Sequence, residues 1–263
     1  MKTTVLLLLL FYSVFGNAQS GQLSVLPLSS IDFKADSFVG YDKFGFAYFI
    51  ENNAIIKKKD SIQVEYKNVS LGRIAKVDLN NPLKILLFYE NFNTVVLLDN
   101  QLNEIQQIRF SENRIPIVVA ATGNADQNRL WIYNSLTQQI GLYDHQNNEY
   151  KTITTPSIGN IKYYDSDLSY FQWIDENRNR FACNVYGNVS PLGQAPVADR
   201  MRFVNENWIF YSKENLLYAV DIKNNKEYPI QIAEKSFISF YATPQILSIF
   251  TTSGITNYKI TLP

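Results

Sequence analysis

The chain predicts an all-β fold: a single β-propeller of six four-stranded blades, the last blade completed by a strand from the N-terminal end. Three observations carry this. A hydrophobic strand, a polar turn and a second hydrophobic strand recur roughly every 40 residues, a propeller-like period, with starts at Ala47, Leu86, Trp131, Trp173, Trp208 and Leu247. Thirteen positions beyond those starts stand Asp60, Asp99, Asp144, Tyr186, Asp221 and Ile260, so Asp fills the same slot in four of six repeats. The sixth repeat runs out at Pro263 without a final strand, while Leu23 to Leu28 offers one ahead of the first repeat.

Taken in order, Met1 and Lys2 precede an apolar run from Val5 to Phe15 and the small-residue stretch Gly16-Asn17-Ala18. A basic start, a short apolar core and small residues form a secretory signal peptide, expected over 1–18 with cleavage after Ala18. The run is too short for a membrane-spanning helix, which needs roughly 20 residues, and no Cys follows it to take a lipid. Residues 19–263 are expected to form one propeller domain, because no Pro/Gly/Ser-rich linker or charge block divides them.

Within that domain the innermost strands are expected at Ser37 to Asp42, Arg73 to Leu79, Ile115 to Thr122, Asn160 to Asp165, Arg200 to Asn205 and Phe237 to Thr243. The second and third strands are β-branched and aromatic runs joined by polar turns, such as Leu86 to Tyr89 with Val95 to Leu98, and Trp208 to Tyr211 with Leu216 to Val220. Short runs of this composition are strands joined as hairpins, and their nearly continuous apolar character predicts cover on both faces. Trp131, Trp173 and Trp208 share one slot and read as packing between sheets. The recurring Asp closes the third strand, where a carboxylate bonds the backbone two residues on. More polar, alternating outer strands follow: Ile62 to Val69, Glu104 to Phe110, Glu149 to Thr155, Val189 to Leu192 and Glu227 to Ile232. Leu23 to Leu28 fits the same role, since Pro27 is compatible with an edge.

Lys and Arg number 24 and so do Asp and Glu. That balance lacks the basic footprint of a nucleic-acid binder and the cationic cluster of a lipid-surface binder; no membrane insertion is expected. Lys57-Lys58-Lys59 reads as a solvated hairpin end. Cys183 is the only cysteine, so no intrachain disulfide forms, and its apolar neighbours place it as a small buried hydrophobe. His145 is the only histidine and falls in an outer turn. One histidine cannot build a multi-His zinc site, and no Gly-x-Ser-x-Gly elbow is present. Asn68-Val69-Ser70 and Asn188-Val189-Ser190 match the glycosylation acceptor pattern, relevant only in a host that glycosylates Asn.

The organisation resembles the six-bladed propellers of the broad NHL, YWTD and TolB-like group, secreted bacterial type. Leu217-Tyr218-Ala219-Val220-Asp221 looks like their repeat consensus. The resemblance spans almost the whole mature chain and is one of architecture.

Sheet geometry places any ligand or partner site at the channel mouth, where Tyr41, Tyr163, Tyr164 and Tyr241 with Arg200 and Arg202 are the candidates. Aromatics beside Arg are enriched in protein-binding hot spots. The expected function is that of a non-enzymatic periplasmic or extracellular propeller, needing no cofactor, that binds a protein of an envelope or outer-membrane complex, as the resemblance implies. The alternative is a lactonase- or esterase-like hydrolase holding calcium or another divalent cation on Asp42, Asp78 and Asp165, since a hard cation takes oxygen ligands alone. The second alternative is a glycan-binding module.

Overall fold

A computed structural model describes residues 23–113, 116–156 and 159–263; the expected signal peptide lies outside them. Among the described residues, twenty-four strands form six antiparallel four-stranded sheets, each running outward from the centre. Blade 1 consists of β2 (Ser37–Tyr41), β3 (Ala47–Glu51), β4 (Ala54–Lys59) and β5 (Ile62–Tyr66), and blade 2 of β6 (Lys76–Asp78), β7 (Ile85–Tyr89), β8 (Thr94–Leu98) and β9 (Glu104–Arg109). Blade 3 holds β10 (Val119–Asn124), β11 (Arg129–Asn134), β12 (Gln139–Asp144) and β13 (Glu149–Thr152). Blade 4 holds β14 (Ile161–Ser166), β15 (Tyr170–Asp175), β16 (Asn179–Asn184) and β17 (Val189–Gln194). Blade 5 holds β18 (Arg200–Phe203), β19 (Trp208–Lys213), β20 (Leu216–Asp221) and β21 (Lys226–Ile230). Blade 6 takes β22 (Ser239–Ala242), β23 (Ile246–Phe250) and β24 (Gly254–Ile260) from the C-terminal end and β1 (Val25–Asp32) from the N-terminal end.

The expected ring closure is therefore present. β1 pairs antiparallel with β24 from Val25 opposite Ile260 to Asp32 opposite Gly254. Pro27 sits on this edge strand, where its missing N–H interrupts no inner ladder, and the register shifts just after it. Leu23 forms a parallel bridge to Ile230, tying the same segment to the outer strand of blade 5. Inside blade 6, Asn257 accepts from Ser248 Oγ at 2.7 Å, donates to Ser29 Oγ at 3.1 Å and meets the Tyr41 hydroxyl at 2.9 Å. One side chain thereby joins both chain ends to blade 1.

Burial explains why the middle strands are apolar throughout: β7 and β8 are buried at every position. Trp131 and Trp173 are buried in one cluster between blades 3 and 4, and Trp208 in another between blades 5 and 6. Full burial of such side chains contributes roughly 1.5–3 kcal/mol each. The repeated Asp are turn residues as expected. Asp99 accepts from the amides of Gln101 and Asn103, Asp144 from Gln146 and Asn147, and Asp221 from Asn224. The Asn103 side chain, first among several donors, holds Asp99 below the usual carboxylate range. Asp60 fills the slot in a left-handed conformation, φ 52°. Asn52-Asn53 and Glu214-Asn215 have positive φ at both positions, the backbone of a tight hairpin turn matched to strand twist.

One expectation needs correction. Lys57 is not solvated: it is 4% exposed, its Nζ donates to the Asn100 carbonyl at 2.7 Å, and it lies 3.8 Å from Asp42 and 4.3 Å from the Phe46 ring centroid. Alternation along β4 turns Lys57 toward blade 2 and Lys58 the other way, over the Phe33 ring, while Lys59, on the same face as Lys57 but at the end of the strand, stays exposed. His145 does lie in the outer turn, between β12 and β13, yet it is buried there, 8% exposed. Its ring nitrogens meet Gln106 Oε1 at 2.9 Å and Lys84 Nζ at 3.1 Å, so it pins blade 3 to blade 2. Lys84 donates, so Nε2 accepts and Nδ1 carries the proton toward Gln106, a neutral imidazole assigned from its partners.

Two outcomes test this architecture. Gly254 has φ 149°, and an added Cβ would lie 2.1 Å from the Ile31 carbonyl oxygen in the closing pair. Gly254→Ala is expected to cost about 2–3 kcal/mol and lower Tm by roughly 5–10 °C, whereas Gly193→Ala, whose methyl meets open space, costs less; thermal unfolding of both variants checks it. Burial, then the Lys84 charge, lowers the His145 pKa. A folded value below the unfolded one means the unfolded chain binds more protons, so stability is lost as pH falls below about 6.5. His145→Gln is expected to flatten the fall in Tm between pH 7.5 and pH 5; an unchanged slope refutes this coupling.

Candidate functional site

Because each blade winds antiparallel from the axis outward, all turns between first and second strands emerge on one face of the ring, here termed the lower face. Connections between blades emerge on the opposite, upper face. Two adjoining recesses of about 230 and 220 Å³ open at the lower mouth of the central channel and share Asn80, Asp165, Ser166, Arg202 and Tyr241. Their walls come from the inner strands β2, β6, β14, β18 and β22.

Blade 3 is recessed there, and glycine is the reason. A Cβ on Gly123 of β10 would lie 2.0 Å from Ser166 Oγ and 3.0 Å from Asp78 Oδ2, so blades 2 and 4 close over it. Asn80 Nδ2 donates to the Ser166 carbonyl at 2.6 Å across that gap. Asp78 accepts from the amides of Asn80 at 2.7 Å and Asn124 at 2.6 Å. Burial raises the Asp78 pKa against these hydrogen bonds.

The sequence-predicted site residues separate into groups. Arg202 and Tyr241 both reach the mouth: the guanidinium carbon lies 4.2 Å from the Tyr241 ring centroid, and Nε donates to the Ala242 carbonyl at 3.3 Å. Burial opposes the Arg202 charge, but Asp165, Tyr241 and Tyr163 outweigh it and raise its pKa. Tyr241 covers Gly40, where a Cβ would lie 2.4 Å from its ring. Tyr41 lines one recess, but its hydroxyl is held by Asn257 in the closing blade. Tyr163 and Tyr164 turn into the seams on either side of blade 4. Tyr163 packs edge-on against Phe203 at 5.0 Å, Tyr164 stacks on Phe171 at 5.7 Å, and burial raises the pKa of both. Arg200 is exposed at the start of β18 and lines a recess of about 290 Å³ with Lys162 and Glu176 toward the upper face. Adjacent strand residues point to opposite faces, which separates Tyr163 from Tyr164.

The three Asp do not fit a shared cation. Both oxygens of Asp42 are taken, one by the amides of Phe44 and Phe46 and the other by the Tyr48 hydroxyl at 3.0 Å, with Lys57 behind. Asp78 faces backbone amides. Asp165 lies 3.6 Å from Lys76 Nζ, which also sits 4.9 Å from the Tyr164 ring centroid. Among the described residues no group of three or more His, Cys, Asp or Glu is placed to hold a metal ion. Cys183 is buried, its thiol pushed up to about 11 by burial, as expected of an inert packing residue.

Sequence reasoning missed Asn80, Ser166, Lys43 and Thr243, which complete the mouth. Their common signal is position: each lies at or just beyond the end of an inner strand, in or next to a lower-face turn.

No family model matches the chain, and no curated protein matches it. Its fold is similar to that of solved propellers at low identity. A catalytically inactive virginiamycin B lyase from Staphylococcus aureus with quinupristin aligns at TM-score 0.55 and 14% identity over 92% of this chain and 99% of that one. The WD40 β-propeller domain of Doa1 aligns at 0.56 and 10% over 92% and 98%, and a chain of the mitotic checkpoint complex at 0.58 and 8% over 90% and 95%. The chain is a six-bladed β-propeller whose structural neighbours include both a lyase and a WD40 propeller.

Proposed function

We propose that the chain is a non-enzymatic propeller that binds a protein partner at the lower mouth of its channel, as an accessory subunit of a cell-envelope complex. The observation that carries this reading is the Arg202–Tyr241 pair, held 4.2 Å apart at the wall shared by both recesses. Arg and Tyr set in a partly desolvated pocket are the residue types on which binding energy concentrates. The surrounding turns expose amide side chains at Asn128, Asn205, Asn207 and Gln245, with Phe44, Leu83 and Tyr170 48–61% exposed on the same face. Exposed apolar and aromatic side chains set among hydrogen-bonding groups suit a protein segment better than a small apolar ligand. The Met1–Ala18 sequence pattern supports a periplasmic or extracellular setting.

The lyase neighbours carry a reaction on this fold, and one is inactive in a His-to-Ala form. Here the only histidine, His145, is clamped between Gln106 and Lys84. It has no place at the mouth, and the aspartates there are bound to amides and Lys76. That set of partners supports binding over catalysis.

The mature chain, immobilised and exposed to envelope extract, is expected to retain a stoichiometric protein partner. Arg202→Ala combined with Tyr241→Ala is expected to weaken that binding at least tenfold, as removal of two hot-spot groups does, while Arg200→Ala on the opposite face leaves it intact. Failure to recover any partner, or a double variant that binds as the parent does, overturns the reading.

A further inference from the structure

The seam between blades 4 and 5 holds a charge that the surrounding protein does not neutralise. Arg180 of β16 is 1% exposed, and none of its three guanidinium nitrogens has a hydrogen-bond partner among the described residues. Strand register fixes its direction. Arg180 lies opposite Ile174 and Ala182 opposite Gln172, so Arg180, Ile174 and Gln172 share the face of blade 4 that meets blade 5. The guanidinium carbon lies 5.0 Å from the ring centroid of Phe203 on β18, against which Tyr163 also packs. Gln172 Oε1 is a second buried polar atom on that face without a partner. Burial alone pushes the Arg180 pKa down, to about 10, which still leaves the group charged at neutral pH.

The Phe203 ring satisfies one flat face of the guanidinium. It does nothing for the N–H donors, which lie in the plane and point outward from its edge. A buried charge without a counter-charge is strongly disfavoured. Water bridging Arg180 to Gln172 Oε1 would satisfy hydrogen bonds and leave the charge unbalanced; an anion meets both needs. Gln172 and Phe203 of this seam also line the recess of about 230 Å³ at the lower mouth, and Tyr163 and Ile174 line the recess of about 290 Å³ toward the upper face, so the seam borders both.

We propose that the seam is a binding site for a small monovalent anion, either a halide or the carboxylate of a small organic acid, received on the edge of Arg180. The two ends of the Gln172 amide are nearly isosteric, so turning it converts the unpartnered acceptor into a donor facing the same space. The ligand binds as a counter-ion and no covalent step is involved. The site lies off the channel mouth and stands independently of partner binding there.

The test is thermal unfolding at fixed ionic strength, with gluconate replaced stepwise by chloride or by formate. Wild type is expected to show a saturable Tm rise of roughly 3 °C, since a ligand specific to the native state must stabilise it. Arg180→Met, similar in length but uncharged, is expected to lose the rise, and Arg202→Met to keep it, which separates the seam from the mouth. The relative midpoints of the chloride and formate titrations tell a halide site from a carboxylate site. Crystals of the unaltered protein grown in bromide need no folded variant and are expected to show an anomalous peak at the Arg180 guanidinium. A Tm response that is flat in wild type or equal in Arg180→Met overturns the proposal, as does density at the guanidinium without anomalous signal, a water only.

Discussion

Pairing of β1 with β24 is the contact on which the ring depends. Six sheets around an axis each cover two neighbours, so the first and last blades each keep one face unprotected until the circle is complete. Closure by separate ends of the chain makes blade 6 a non-local sheet, its β1 and β24 joined across most of the sequence. Asn257 shows how the polar centre of that blade is settled: Ser248, Ser29 and Tyr41 meet on one amide, drawing three strands of blade 6 and blade 1 together. A buried amide with every partner present favours one register, because a shift of one residue would leave each of these groups unpaired.

The same geometry decides what reaches the channel. Side chains of an inner strand alternate between the two neighbouring seams, so most aromatics near the axis pack sideways. Tyr163 and Tyr164, adjacent in sequence, enter different seams. Only where a turn begins, or where a neighbour withdraws, does a side chain face the opening. Gly123 is such a withdrawal: it lets Asp78, Asn80 and Ser166 close across blade 3, leaving Arg202 and Tyr241 on the more open side.

Legibility in the sequence followed the strength of the periodic signal. The apolar runs of second and third strands, the Asp turns and the borrowed N-terminal strand were readable because each follows from local composition or from a gap in the count. Placement of the short inner strands was also readable to within a few residues: β6 is three residues long inside an expected run of seven. Side-chain direction was not. Arg200 and Arg202 lie two residues apart on one strand and read alike, yet one reaches the upper rim and the other the lower mouth, because β18 spans much of the channel depth in four residues. Lys57 looked solvated because charge and hairpin position suggest water, and the turn that holds His145 carried no local sign of burial. Their burial arises from a neighbouring blade that no local pattern reveals.

Among the described residues, the buried Asp, Lys, His and Arg side chains obey one rule with one exception. Lys57 has the Asn100 carbonyl, the Asp42 carboxylate and the Phe46 ring; His145 has Gln106 and Lys84; Asp78 has two backbone amides. In each case the partner comes from another blade or from an adjacent turn, so desolvation is offset at the point where two blades meet. Arg180 has only the face of Phe203. A guanidinium carries more donors than any other side chain and retains its charge when buried, so it is the residue least able to persist without an acceptor. A propeller that satisfies its other seam charges from its own neighbours, and leaves this one open beside a recess, is built to receive the missing acceptor from solution.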